Sequence, residues 1–437
     1  MKVKLAYGKE GLEVDLPGDR ITVIEPHYIP GLADEQAAIR EALSSPIGCP
    51  RLRDMVRPDQ TVAITFPDVT RPCPTARMLP ALLEELAHLA PEQVVLLSGT
   101  GMHRPNTEEE LIRMVGEGVY RKYRVINHDA FDPSTLALVG KTGRGTDIWV
   151  SREYLQADVK VLVGFIEPHM FAGFSGGGKA VLPGIAGEAT VLANHDAEMI
   201  GDPRATFGVT RGNPIFEEIR EAALLTRPSF LMNVTLNREK AITACYFGEM
   251  VAAHNRGIDF ARRTAMRPVP RPFDVVVTTN SGYPLDLNLY QSTKGICAAS
   301  MIARDGGAVV CAAECSEGIP EHGNYRRMLR SRGSLEGLLE MVMAPGFSMF
   351  DQWAVQIQAA IQMRVDVSLY SSMADDEVKN AHLRPIRDVG EEVRRLLDHY
   401  GPEATVAVLP EGLQTIPYVR DEAGVAYEAL AHGVATT

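Results

Sequence analysis

The stretch VKVLVGFIEPHMFAGFSGGGKA, residues 159–180, decides the fold class. Its first seven residues are an apolar, largely β-branched run, which is typical of a strand buried on both faces. A glycine-rich loop follows at once, as it does after strands of open α/β sheets that bind ligands. We therefore predict that residues 159–165 form an inner strand and that the loop leaves its carboxyl end.

The same strand pattern recurs along the whole chain, with helical periodicity between the strands, as in residues 76–90. The predicted strands are TVAITF (61–66), QVVLLS (93–98), FDVVVTT (273–279), GGAVVCAAE (306–314), RVDVSLYS (364–371) and ATVAVLP (404–410). Such alternation predicts an α/β protein with largely parallel sheets. The proline-rich segment MRPVPRPFD (266–274) is predicted to be a linker, so we expect two α/β domains, residues 1–267 and 272–437. The charged, interrupted N-terminus MKVKLAYGKEGLEVDLP predicts a hairpin.

Composition narrows the class of function. The chain has 437 residues, of which 45% are hydrophobic and 23% charged, and its net charge is −12. That charge argues against nucleic acid and anionic membranes as partners, and no apolar run approaches the roughly 18 residues of a membrane span. The six cysteines form no CxxC pair, so we expect reduced thiols. Because charges interrupt the N-terminal apolar residues, a secretory segment is not expected either, and we expect a cytoplasmic protein.

The glycine loop GFSGGGKA (173–180) matches the phosphate-binding pattern G-x-x-x-x-G-K, but Ala180 stands where that pattern needs Ser or Thr. Without this hydroxyl there is no ligand for magnesium, so a nucleotide triphosphatase is a weak interpretation. The loop's three successive glycines are expected to leave their backbone amides uncovered for a phosphate. Lys179 ends the loop between His169 and His195, which suits a metal site or a covalently held cofactor.

Polar side chains follow three of the predicted strands. Because the carboxyl ends of parallel strands share one edge of a sheet, we expect these side chains to converge on one crevice. They are Asp68, Thr70 and Arg71 after the first strand, His103 and Arg104 after the second, and His169 and Lys179 after the third. Just beyond His103, Thr107 and Glu110 have the spacing of a capping box at a helix start.

Five segments together resemble the lactate racemase family, whose members use a nickel-pincer nucleotide. The segments are DVTRP (68–72), TGMHR (100–104), EPHMFAGFSGGGKAVLPGIAG (167–187), NHDA (194–197) and LYQSTKG (289–295). The similarity runs in matching order from about Thr61 to about Trp353, and the part from Glu167 to His195 is the most specific.

The resemblance implies an active site in the cleft between the two domains and a role for each matched residue. The cofactor, pyridinium-3,5-bisthiocarboxylic acid mononucleotide nickel, would be joined to Lys179 through a thioamide and ligated by His195. His103 and His169 would be the two acid–base groups. The remaining matched residues are Asp68, Thr70, Gly176, Gly177 and Gly178 on the cofactor side, and Arg71, Tyr290, Gln291, Lys294 and Trp353 on the substrate side.

The implied activity is inversion of the C2 stereocentre of a 2-hydroxy acid by hydride transfer to and from the cofactor. The acid is lactate-like or larger, such as malate or a sugar acid, for which Asn280, Ser281 and Asn288 are further polar candidates. Cofactor-synthesising enzymes are the implied maturation partners. Two alternatives stay open: a zinc hydrolase with ligands His103, His169 and His195, and a nucleotide-binding protein without catalysis.

Overall fold

The computed structural model describes residues 1–321 and 323–420, so the last part of the predicted second domain lies outside the described residues. The strands, in chain order, are β1 Lys2–Leu5, β2 Leu12–Asp15, β3 Ile21–Val23, β4 Val62–Pro67, β5 Val94–Gly99, β6 Arg124–Asn127, β7 Leu136–Lys141, β8 Asp147–Ser151, β9 Val159–Phe165, β10 Pro168–His169, β11 Gly173–Phe174, β12 Phe230–Leu236, β13 Ile242–Gly248, β14 Met266–Val269, β15 Phe273–Thr279, β16 Ala303–Ala312, β17 Asp366–Tyr370, β18 Arg384–Ile386, β19 Val406–Val408 and β20 Ile416–Val419.

The helices, in chain order, are α1 Glu35–Ser44, α2 Leu52–Met55, α3 Thr75–Glu85, α4 Glu108–Val115, α5 Glu117–Lys122, α6 Arg152–Gln156, α7 Glu188–Asn194, α8 Ala197–Gly201, α9 Pro214–Leu225, α10 Met250–Ala265, α11 Leu289–Ser300, α12 Tyr325–Leu329, α13 Leu335–Val342, α14 Gln352–Arg364, α15 Asp375–Asn380 and α16 Val389–Tyr400. Within these bounds no described helix combines the length and apolarity needed to span a bilayer.

The described chain forms two compact units. Unit I contains Tyr28–His195 and Gly212–Arg262; unit II contains Met1–His27, Asp196–Arg211 and the described residues from Arg263 onward. The units are therefore not contiguous in sequence, and the boundaries drawn from the sequence at 267 and 272 stay a prediction.

Unit I is built on a six-stranded sheet in the order β13-β12-β9-β4-β5-β6. Every neighbouring pair is parallel except β12 with β13, so the predicted largely parallel sheet is confirmed. The inner strands β4 and β9 are almost wholly buried because helices cover the sheet, and their apolar side chains pack against those of α1 to α4. This burial accounts for the continuous apolar runs in the sequence.

Unit II has a second six-stranded sheet, β18-β17-β16-β15-β19-β3, in which all pairs are parallel. Its core joins β15, β16 and β19 to α16 and to the N-terminal hairpin β1–β2. That hairpin is antiparallel, as the interrupted N-terminal pattern predicts.

The predicted linker at 266–274 is wrong for its first residues. Met266–Val269 form β14, which pairs in parallel with β20 inside unit II. Pro268 is tolerated there because the two-stranded pairing leaves one edge of β14 without a ladder, where a missing N–H costs little.

Candidate active site

Three loops leave the carboxyl ends of three adjacent parallel strands of unit I. β4 lies between β9 and β5, so the loops after these strands start side by side. Their adjacency confirms that the predicted strand ends lie at one edge of the sheet. The loop after β5 is also tied to the segment beyond Lys179, because the amide of Gly101 donates to the carbonyl of Gly184 at 2.9 Å.

Asp68 and His103 form a hydrogen-bonded pair across two of these loops. Oδ2 of Asp68 accepts from Nδ1 of His103 at 2.7 Å, and Oδ1 accepts from the Thr70 hydroxyl at 2.7 Å. Asp68 is buried, and burial alone would raise its pKa, but the bonds from His103 and Thr70 and the charge of Arg71 bring the pKa below its usual value. The carboxylate therefore holds the proton of a neutral His103 on Nδ1 and leaves Nε2 able to accept one.

Asn106 links the loop after β5 to the loop after β4 through side-chain hydrogen bonds. Its Oδ1 accepts from the amide of Val69 at 3.1 Å, and its Nδ2 donates to Ser98 Oγ at 2.9 Å and to Asn127 Oδ1 at 2.8 Å. The side chain is buried, and both ends of its amide are bonded. Asn106 thus fixes the residue that follows Asp68.

The helix that starts after His103 begins as predicted. Thr107 caps α4 by accepting from the amide of Glu110 at 3.2 Å, and the Glu110 side chain accepts from the amide of Thr107 at 2.8 Å. Arg104 makes a bidentate ion pair with Glu110 at 2.7 Å. Arg104 therefore serves the helix start, whereas His103 stays 41% exposed.

Lys179 sits on a short 3-10 turn, Gly177–Ala180, whose glycines pack against protein. A Cβ on Gly176, Gly177 or Gly178 would come within 2.8 Å of a protein atom in each case. The amide of Gly177 donates to the Asn233 side chain at 2.8 Å, so the expectation of uncovered amides is wrong for that residue. Close packing by itself therefore requires glycine here.

Three side chains, those of His169, Phe171 and His195, gather near the end of Lys179. Its Nζ lies 3.5 Å from Nε2 of His169 and 5.7 Å from the ring centroid of Phe171. The Phe171 ring stands edge-on to both histidines, with centroid distances of 4.5 Å to His169 and 5.0 Å to His195. Nδ1 of His169 accepts from the amide of Ala172 at 3.3 Å.

His195 closes the C-terminal end of α7 and is buried. Burial, with a smaller effect of the Lys179 charge, lowers the pKa of His195 to about 3. Its imidazole is therefore neutral near pH 7, which is the form that binds metal ions. The preceding residue, Asn194, donates to the buried carboxylate of Glu218 at 2.9 Å and so anchors this segment to α9.

Across residues 1–321 and 323–420, no group of three or more His, Cys, Asp or Glu side chains lies close enough to hold a metal ion. His103, His169 and His195 thus do not form the three-ligand zinc site of the hydrolase alternative.

The substrate-side residues expected in the second half of the chain lie together in unit II. Tyr290 and Lys294 are on α11, one turn apart as predicted, and Lys294 Nζ donates to Gln291 Oε1 at 2.6 Å. The indole N–H of Trp353, on α14, donates to the Tyr290 hydroxyl at 3.3 Å. The rings of Tyr290 and Tyr325 make a T-shaped contact with centroids 5.3 Å apart.

The three further polar candidates make bonds within unit II. Asn280 accepts from the amide of Gly295 at 3.0 Å, Ser281 donates to the carbonyl of Glu411 at 2.8 Å, and Asn288 caps α11. These bonds account for their polar character without a polyol substrate.

Both parts of this chain are similar to known proteins. Residues 7–208 match the lactate racemase N-terminal domain, and residues 269–416 match the lactate racemase C-terminal domain. A lactate racemase from Lactiplantibacillus plantarum is 33% identical over 420 residues, which cover 92% of this chain and 99% of the relative. A lactate racemase from Thermoanaerobacterium thermosaccharolyticum is 34% identical over 422 residues, covering 95% and 98%.

The chain belongs to the lactate racemase family. It is by that membership an isomerase, and the family implies a nickel-dependent cofactor. The structure of the lactate racemase apoprotein from Thermoanaerobacterium thermosaccharolyticum matches with a TM-score of 0.89 at 32% identity, over 95% of this chain and all of that one. A Thermotoga maritima protein with a TM-score of 0.66 and 20% identity shares the fold alone.

Two residues that contact Lys179 or its turn, Phe171 and Asn233, were not among the candidates drawn from the sequence. Phe171 lies inside the quoted motif, but an apolar residue at such a position is usually assigned to the core. Asn233 lies on β12, and no local pattern links it to the glycine turn that it contacts.

Proposed function

We propose that this chain is a racemase that inverts the C2 stereocentre of lactate with a nickel-pincer nucleotide attached to Lys179. The observation that carries the proposal is the grouping of Lys179, His169, Phe171 and His195 in a member of this family. Larger acids such as malate are retained as further substrates to test. A sugar acid has less support, because the polar groups of Asn280 and Ser281 are already bonded.

The residues present fit such a cofactor. Lys179 offers the only amine of the glycine turn, and His195 offers a buried neutral imidazole whose pKa responds to the Lys179 charge. One lysine and one imidazole cannot enclose a metal ion alone, which suits a metal that arrives within a nucleotide. When bound, the nickel-pincer nucleotide supplies the hydride acceptor that side chains lack. Glycines 176–178 then act by placing Lys179.

The two acid–base histidines rest in opposite protonation patterns. His103 presents a bare Nε2, because Asp68 holds its proton on Nδ1, and it can take the hydroxyl proton of one enantiomer. For the other enantiomer to form, the oxygen of the 2-keto acid must receive a proton. We assign that proton to His169 as an imidazolium, which is left neutral while His103 has become charged. The opposite direction of turnover starts from the reversed pattern.

On the substrate side we propose Arg71 in unit I, and Tyr290, Gln291, Lys294 and Trp353 in unit II. Arg71 is exposed, its charge acts on Asp68, and its planar fork suits a carboxylate. The Lys294 ammonium is held by Gln291 at 2.6 Å, which fixes a positive charge on one face of α11.

The test is to produce the chain together with the cofactor-synthesising enzymes and to measure lactate racemisation, nickel content and intact mass on the same sample. We expect His195→Ala to lose nickel, because it removes the protein ligand, whereas His103→Asn and His169→Asn keep it. Equal nickel loss in all three variants would contradict the proposal. A sample with neither nickel nor racemisation would reject it.

The bond between Asp68 and His103 gives a further prediction. Asp68→Ala should lower kcat by about 10- to 100-fold, the usual cost of losing a partner that orients a functional histidine, with the covalent adduct retained. Thr70→Val, which leaves the bond between Asp68 and His103 in place, should have a smaller effect. Kinetics with intact mass check this; an adduct lost in Asp68→Ala would show that Asp68 acts on the cofactor instead.

A further inference from the structure

The turn that carries Lys179 is held by Asn233, a fully buried residue of β12. Its Oδ1 accepts from the amide of Gly177 at 2.8 Å, and its Nδ2 donates to the carbonyl of Met232 at 3.1 Å. Both ends of the Asn233 amide are therefore bonded. One of those bonds fixes the first N–H of the turn.

Glycines on two segments make room for Asn233. A Cβ on Gly176 would lie 2.6 Å from Asn233 Oδ1, and one on Gly164, on the neighbouring β9, would lie 3.1 Å from Asn233 Nδ2. Gly176 and Gly177 also have φ of 81° and 53°, in the left-handed region that favours glycine. The amide side chain is thus packed between strand and turn.

A second residue, His254 of α10, supports the other side of the turn. Its Nε2 donates to the carbonyl of Ser175 at 3.0 Å, and a Cβ on Gly177 would lie 2.2 Å from its Nδ1. Burial lowers the pKa of His254 to about 4, so the ring is neutral near pH 7. The backbone just before Lys179 is therefore held from two directions.

We infer that Asn233 is a positioning residue for Lys179: by holding the Gly177 amide, it sets the backbone from which the lysine reaches His169 and Phe171. The inference rests on the proposed function, because only that function gives Lys179 a role as an attachment point. The lysine side chain is long and flexible, so its backbone position determines where its amine can reach. A residue that attaches a cofactor therefore needs a fixed backbone. Asn233 touches none of the reacting groups in this role.

The experiment compares Asn233→Ala, which removes the acceptor, with Asn233→Asp, which keeps an acceptor oxygen at the same place. Thr235→Val is the matched control: Thr235 is buried two residues along the same strand, and its hydroxyl bonds to the Thr243 hydroxyl at 2.7 Å. All three changes are expected to lower the midpoint of thermal unfolding. Stability alone therefore cannot separate them.

Two readouts are taken. In protein made with the cofactor-synthesising enzymes, the adduct fraction by intact mass should fall about tenfold or more in Asn233→Ala and stay within about twofold of wild type in the other two, on the scale of lost supporting bonds. In the apoprotein, labelling of Lys179 by acetic anhydride, followed by peptide mass spectrometry, should be faster in Asn233→Ala by a factor on the order of five, because the turn opens locally.

The outcomes distinguish a failure of the proposed function from a failure of the positioning role of Asn233. A wild-type protein without any adduct would reject the proposed function. The labelling rates would then still test whether Asn233 fixes the backbone at Lys179. Unchanged labelling in Asn233→Ala, or an Asn233→Asp variant that behaves like Asn233→Ala in both readouts, would overturn the inference.

Discussion

Lys179→Ala should abolish covalent cofactor retention and, with it, racemisation. No other residue of the turn Gly177–Ala180 carries an amine, and the Lys179 amine lies beside His169 and Phe171. The intact mass of protein made with the cofactor-synthesising enzymes should fall to that of the bare variant chain. Because the link is covalent in the proposal, the expected loss is complete and does not depend on cofactor concentration.

Lys141→Ala is the control for this variant. Lys141 lies in the same unit, is 63% exposed, and pairs with Asp147 at 2.7 Å on the hairpin β7–β8. Its removal should leave the adduct and the racemisation rate unchanged. A full-mass adduct recovered from Lys179→Ala would show that another residue is the attachment point.

The second large effect is expected from the two acid–base histidines. Each of His103→Asn and His169→Asn should lower the racemisation rate by at least about 100-fold in both directions, the lower end of what general acid–base groups contribute. One remaining histidine can serve one enantiomer only, so the reaction stops between the two. Adduct and nickel should be retained.

His88→Gln is the matched control for the histidine variants. His88 is an exposed histidine of unit I whose Nε2 bonds to the carbonyl of Val56 at 2.9 Å, a bond that glutamine can also donate. Racemisation measured from each enantiomer separately should be unchanged in this variant. A histidine variant that still converts one enantiomer fully to the other would contradict the assignment of one histidine to each.

The fold was predictable where burial is continuous along the sequence. Residues 159–165 and 273–279 form β9 and β15 as predicted, because both faces of an inner parallel strand are apolar and no alternation obscures the run. Membership of the units was not predictable in this way. β3, from the N-terminal segment, pairs with β19 nearly 400 residues later, and no local pattern carries such a pairing.

The site was predictable to the level of loops but not of side-chain partners. Strand-end positions placed Asp68 and His103 on neighbouring loops, yet their bond depends on β4 lying beside β5 and on the burial of the carboxylate. The glycines were interpreted as open to a phosphate, and the structure fills their Cβ positions with Asn233, His254 and α9. Such contacts come from distant segments, so only the fold reveals them.

The most direct measurement is the fate of the α-hydrogen during turnover. His103 and His169 are assigned the hydroxyl proton alone, so the hydrogen on C2 should never exchange with water. Racemisation of 2-deuterated lactate in ordinary water by the cofactor-loaded enzyme, followed by mass spectrometry of each enantiomer at partial conversion, should give product that keeps its deuterium. Loss of deuterium to water in step with racemisation would show that a side chain removes the α-proton, and would contradict the proposed reaction.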